Sequence, residues 1–261
     1  MKKPSRLDYA YAVGRIRVLE KKLVERAVFS EASEENDFSS AMKVVFDAGD
    51  FPEEMVELKD SDELDEFLEK EEEALQGLMD AILLDSNVFD IYLEESNPQE
   101  AMSIAESMDY AFIKDYLRHK IDLSNLKIFC RIKYSGHSIQ KFENLILKGG
   151  FLDEKILLQN FDLTYGEIGD KLRASAYQDL WNRAIDVLEE RETFVEFERG
   201  IEDFLMKYLR KAKYIVFGPE PVFAYGLAKR KELRAVRLLG VGKLNHVPSE
   251  LLKERISETY V

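Results

Sequence analysis

Gly240-Val241-Gly242-Lys243 has the outline of a phosphate-binding loop, and it fails that reading residue by residue. Such a loop needs a Gly five residues ahead of the Gly-Lys pair and a Ser or Thr after it for magnesium. Arg237 stands in the first place and Leu244 in the second, so no direct nucleotide binding is expected. His119, His137 and His246 are isolated from one another, and none has a second ligand at metal spacing. Each is expected in a loop or at a helix end. The Glu71-Glu72-Glu73 run belongs to a surface too acidic to read as an acid–base pair. His137 beside Ser138 lacks a nucleophile setting, and Cys130, among Ile128, Phe129 and Ile132, reads as an inert core thiol. The residues assign no catalytic group, no cofactor and no metal.

Basic side chains are the better candidates, as contact residues. Arg15 and Arg17 fall on the first helix, Arg131 and Lys133 near the middle of the chain, and Arg237 and Lys243 near its end. Two roles compete for them. Cations at helix C-termini interact favourably with the dipole, by roughly 0.3–1 kcal/mol. The same positions could instead meet acidic or polar loops of a partner protein.

The elements that must position these residues are helices. Tyr9, Ala12, Ile16, Leu19 and Leu23 repeat at three and four, which predicts a helix from about Asp8 to Val28. A short helix follows over Asp37 to Ala48, then a long helical region from Asp62 to Glu94. Asn97-Pro98 starts another, running to about His119, and Asp122, Ser124 or Asn125 caps the next, which ends near Ser135-Gly136. Further helices are predicted over Ile139 to Leu147, Leu152 to Gln159, Leu172 to Glu190 and Glu192 to Lys213. Gly218-Pro219 opens one that leads into a glycine-spaced exit at Gly240 to Asn245, and Pro248 opens the last. No run alternates with period two. The fold class is all-α.

Parts of this pattern recur. Asp109-Tyr110-Ala111-Phe112, then Asn125-Leu126-Lys127, Lys133 and Gly136, match Glu220-Pro221-Val222-Phe223, then Ala235-Val236-Arg237, Lys243 and His246. Asp8-Tyr9-Ala10-Tyr11 is a third copy of the opening. Helical repeats of this size stack and bury their apolar faces on one another.

Charge and composition exclude several classes. The chain of 261 residues carries a net charge of −14. Glu31 to Glu73 holds 18 acidic residues against three lysines, whereas the first thirty residues and Leu205 to Arg255 are both basic. If the ends fold together, one side is basic and another acidic. Overall negative charge opposes nucleic acid. One cysteine forbids an internal disulfide and suits a reducing compartment. The longest run without Asp, Glu, Lys or Arg is Pro221 to Ala228, far short of a membrane span, and the N-terminus has no apolar core of a signal peptide. A soluble chain of one large domain or two smaller ones is expected.

The stretch GPEPVFAYGLAKRKELRAVRLLGVGKLN from Gly218, the ending Glu258-Thr259-Tyr260-Val261 and the opening DYAYAVGRIRVLEKKLV carry a family likeness. They resemble the C subunit of the V-type and archaeal-type rotary ATPases, known as the d subunit in eukaryotes. The likeness is strong at both ends, moderate over Asp109 to Gly150 and poor over Glu31 to Gln99, and the chain is shorter than family members usually are. It implies a single domain over residues 1–261, built of three similar helical units around a pseudo-threefold axis as a funnel. It also implies a non-catalytic subunit, peripheral on the cytoplasmic face of the membrane, joining central-stalk rotor subunits to the membrane ring of proteolipid subunits. Arg15, Arg17, Arg131, Lys133, Arg237 and Lys243 would then meet the ring or the stalk. A helical-repeat adaptor unrelated to ATPases is the alternative, and an enzyme with scattered site residues is a third reading.

Overall fold

The computed structural model describes residues 4–261, and among them every regular element is a helix. The chain forms two compact units. One runs through Tyr92 and resumes from Met206 to Val261; the other is Leu93–Leu205.

The first unit is built around one long helix. It begins with a 3-10 turn at Arg6–Tyr9, then α1 (Ala10–Leu19), α2 (Arg26–Glu34), α3 (Phe38–Ala48), α4 (Ser61–Ile82) and α5 (Ser86–Leu93). The second unit contributes α6 (Pro98–Ala105), α7 (Ala111–Tyr134), α8 (Ile139–Glu143), α9 (Glu154–Leu158), α10 (Tyr165–Lys171), α11 (Gln178–Arg191) and most of α12 (Val195–Leu209). The chain closes with α13 (Pro219–Leu244) and α14 (Ser249–Arg255).

Helix α13 is buried almost all round over its first three turns, and it packs against α1, α2, α3 and α4. Glycines let its neighbours approach. A Cβ at Gly240 would lie 2.6 Å from Leu64 Cδ2, and one at Gly226 would lie 2.5 Å from Met79 Cε. The glycines of the Gly240–Lys243 stretch therefore serve helix packing, and α13 runs on through them to Leu244. Leu64, Phe67, Leu68, Leu75, Met79 and Ile82 bury one face of the acidic α4, while most carboxylates of Asp60 to Glu73 stay in solvent.

The second unit has its own aromatic core. Phe129 on α7 meets Phe142 and Phe161 edge-to-face, with ring centroids 5.3 and 5.4 Å apart, and Trp181 meets Phe197 in the same way. Such pairs add about 0.5–1.5 kcal/mol beyond their burial.

Several helix boundaries differ from the periodicity reading, and at two of them a distant group takes a backbone donor. The first helix does not reach Val28. It stops at Leu19, a 3-10 turn follows, and Leu23 turns extended. The Val24 N–H then donates to Glu232 Oε2 (2.6 Å), and the Arg26 N–H donates to Thr259 Oγ1 (3.1 Å). The Asp62–Glu94 region breaks after Ile82, where the Asp85 N–H donates to Tyr9 Oη (2.9 Å). Conversely, Asp122, Ser124 and Asn125 cap nothing. They lie within α7, which is continuous through them.

Helices α7 and α13 end alike. The Gly136 and His137 N–H groups donate to the Lys133 and Ile132 carbonyls, both at 3.1 Å. The His246 and Val247 N–H groups do the same to Lys243 and Gly242, at 3.1 and 2.9 Å. Gly136 (φ 66°) and His246 (φ 54°) hold the left-handed position, a Schellman-type ending. A short helix follows each, with Phe142 and Leu252 buried at equivalent places. At the helix starts, the matched Asp109 and Glu220 stretches sit one residue out of step with these endings.

Candidate contact residues and the buried polar networks

The six basic positions divide into two kinds. Arg17, Lys133 and Lys243 are half-buried and turned to backbone carbonyls. Arg17 Nη1 grips both oxygens of Glu20 at 2.8 Å, and its Nη2 donates to the carbonyls of Ala212 (3.0 Å) and Ile215 (2.9 Å). Lys133 Nζ donates to the Phe161 carbonyl at 2.7 Å and lies over the Phe161 and Tyr165 rings. Lys243 Nζ donates to the carbonyls of Ser33 (2.6 Å) and Glu35, at the C-terminus of α2. Lys243 thus caps a helix, but a neighbouring one and not its own.

Arg15, Arg131 and Arg237 are exposed. Arg131 pairs with Glu198 (2.5 Å) and lies over Phe194; Arg237 pairs with Asp65 (2.6 Å). Exposed pairs of this kind contribute little, about 0–1 kcal/mol. Arg15 makes no ion pair or hydrogen bond among the described residues. The acidic α4 lies directly on the basic α13 rather than across the unit from it, through Arg237–Asp65 and Arg230 Nε–Glu72 (3.7 Å).

Buried carboxylates are what sequence patterning missed. Glu232 on α13 is held by the Val24 N–H and by Lys229 Nζ (2.5 Å). Burial pushes its carboxyl above the usual range, against the pull of Lys229 and the Val24 N–H. Asp122 on α7 accepts the Phe151 N–H (2.8 Å), the Leu152 N–H (3.2 Å) and Tyr177 Oη–H (2.8 Å). Burial raises its carboxyl too, opposed by those three donors, and burial also pushes the Tyr177 phenol up, helped by Asp122. His119 Nδ1 lies 2.7 Å from the same phenol, so this histidine sits mid-helix in a network and not at a helix end. Glu20 accepts from Arg17 and from Tyr260 Oη (3.0 Å). The signal for Asp122 and Glu232 was their place on the apolar side of helices, which a periodicity count treats as noise.

The Cys130 thiol is fully buried and pushed up to about 12, mainly by burial, which makes it unreactive. Among the described residues, no group of His, Cys, Asp or Glu is arranged to hold a metal, and no helix is long and apolar enough to cross a membrane.

What these features define is an all-helical protein of two compact units whose buried polar side chains hold helices together. The chain belongs to the ATP synthase (C/AC39) subunit family, whose model matches residues 22–255. It is 27% identical over 161 residues to the C subunit of the A-type ATP synthase of Halobacterium salinarum, covering 61% of this chain and 46% of that one. It is 28% identical over 161 residues to the C subunit of the V-type sodium ATPase of Enterococcus hirae, covering 62% and 48%. Against the C subunit of the A-type ATP synthase of Haloferax volcanii the match is 23% over 240 residues, covering 85% and 65%. The chain thus spans about half to two thirds of the length of these relatives.

Proposed function

We propose that the chain is a non-catalytic torque coupler of a V/A-type rotary ATPase or ATP synthase, joining central-stalk rotor subunits to the membrane ring of proteolipids. The observation that carries this reading is the family match, which covers nearly the whole chain. A coupler must be stiff, and the buried post of α13 supports that requirement. Its glycines bring neighbouring helices to van der Waals contact, and Glu20, Glu220 and Glu232 lock its surroundings to both ends of the chain. The work of ion transport and ATP chemistry falls to other subunits in this reading, and the protein lies peripherally on the cytoplasmic face. The pseudo-threefold funnel implied by the resemblance belongs to the same proposal.

The six basic positions are its contact candidates, led by Arg15, Arg131 and Arg237, whose guanidiniums face solvent. Arg17, Lys133 and Lys243 act first on their own unit's carbonyls. The test is sedimentation of purified central-stalk subunits with detergent-solubilised ring, with and without this protein. The expected result is a ring that carries the stalk only when the protein is present. A protein that stays free of both at micromolar concentration overturns the reading in favour of a helical-repeat adaptor.

A further inference from the structure

A stripe of apolar side chains on α1 and the 3-10 turn before it is left uncovered. Leu7, Tyr11 and Val18 are 67%, 78% and 61% exposed, and a Cβ at Gly14 between them would meet nothing within 4 Å. Positions 7, 11, 14 and 18 recur at steps of four, three and four, which is one helical face. The segment leading into α13 extends the stripe with Tyr214 (89%), Val216 (67%) and Phe217 (40%). Two arginines fasten that segment to α1 and the turn before it. Arg17 Nη2 holds the Ala212 and Ile215 carbonyls, and Arg6 Nη2 holds the Phe217 carbonyl at 2.7 Å. Six large apolar side chains are therefore exposed on two segments that these hydrogen bonds hold side by side within the first unit.

The rim of the patch is cationic. Arg15, Lys21 and Lys211, on or next to the same two segments of chain, are exposed. Of the nearby acids, Glu20 and Glu220 are buried and paired with Arg17 and Arg6, while Asp8 is exposed and accepts the Ser5 N–H. Glu25 lies beyond the break between α1 and α2. An apolar face with tyrosines, bordered mainly by lysine and arginine, complements a surface that is apolar inside and anionic outside. A second copy meeting it face to face would oppose like charges.

We infer that this face of the first unit rests on an anionic lipid surface. Tyr11, Val18, Tyr214 and Val216 enter the headgroup boundary while Arg15, Lys21 and Lys211 meet the lipid phosphates. The contact is with lipid and not with rotor proteins, so it goes beyond the coupler reading and does not rest on it. Failure of lipid binding leaves the detergent reconstitution unaffected, and the two results are separable.

The test is sedimentation of the full chain with vesicles of phosphatidylcholine alone, or with about one third phosphatidylglycerol, at low and high salt. The expected result is binding to the anionic vesicles only, weakened by salt. Lys21→Glu with Lys211→Glu should lower the partition about tenfold or more, since each basic residue near an anionic surface contributes and both are reversed. Tyr214→Ser with Val216→Ser, both at exposed positions, should lower it at least severalfold. Binding to neither vesicle, equal binding to both, or indifference to both double variants overturns the inference. A concentration-dependent dimer abolished by the Tyr214→Ser, Val216→Ser variant also overturns it, and assigns the patch to a second copy.

Discussion

Asp122 shows how a single buried side chain organises its surroundings. Its two oxygens take the N–H groups of Phe151 and Leu152 and the hydroxyl of Tyr177, so two segments far along the chain from α7's Asp122 converge on one carboxylate. Burial raises its pKa above the ordinary 3.8, so the folded state holds the proton more tightly than the unfolded chain does. Between 3.8 and the raised folded value, the native state binds more protons than the unfolded state. Stability contributed by this group therefore falls as pH rises through that window and is constant above it. Asp122→Asn removes the titration. The stability of the wild type relative to Asp122→Asn should decline with rising pH across the window and then level. Urea midpoints from about pH 3.5 to pH 7 measure it. A difference that stays flat over that range, or grows in favour of the wild type, would sink the account.

At the scale of elements, helix α13 is the piece whose surface the neighbours were shaped to meet. Gly240 faces Leu64 Cδ2 at 2.6 Å and Phe38 Cε2 at 3.1 Å from a would-be Cβ, both on buried side chains. Gly240→Ala should therefore destabilise by about 1–3 kcal/mol, overpacking outweighing the gain in helix propensity. Gly14→Ala, at an open position on α1, should stabilise by about 0.5–1 kcal/mol. Thermal melts of the two variants against the wild type decide it, and equal shifts of the same sign would refute the packing argument. These elements were largely legible in the sequence, because three-and-four spacing survives wherever one face is buried. Their boundaries were not. Leu23 ends the first helical run because Glu232, far along the chain, takes the Val24 N–H, and Tyr9 ends α4's run by taking the Asp85 N–H. Asp122 and Asn125 look like caps, yet both are spent on distant backbone, Asn125 on both the N–H and the carbonyl of Leu147. For the basic positions, residue type was legible and geometry was not. Residue type picked out Lys243 as a helix-capping cation, but which helix it caps depends on tertiary packing that no local spacing records.

At the scale of the whole molecule, the two units differ in how the chain builds them. The first needs both ends of the chain: Arg6 pairs with Glu220, Arg26 with Glu258, and the Val24 N–H with Glu232. The second is one contiguous stretch, Leu93–Leu205, with an aromatic core of its own around Phe129, Phe142, Phe161, Trp181 and Phe197. A contiguous unit with its own core meets the requirements for independent folding. Residues 93–205 produced alone should thus be helical and unfold cooperatively. Trp181 gives a clean readout, since it is the single tryptophan of the chain and is fully buried. Its indole N–H donates to the Tyr165 carbonyl at 2.9 Å. The fragment should keep the blue-shifted emission of the full chain and lose it in one sigmoidal urea transition. A chain truncated before Met206 should by contrast keep the Trp181 signal while losing helical signal from the first unit, because α13 and its buried Glu232 are gone. Red-shifted emission from the 93–205 fragment in native buffer would mean that the second unit's core depends on the first, and independent folding would fall.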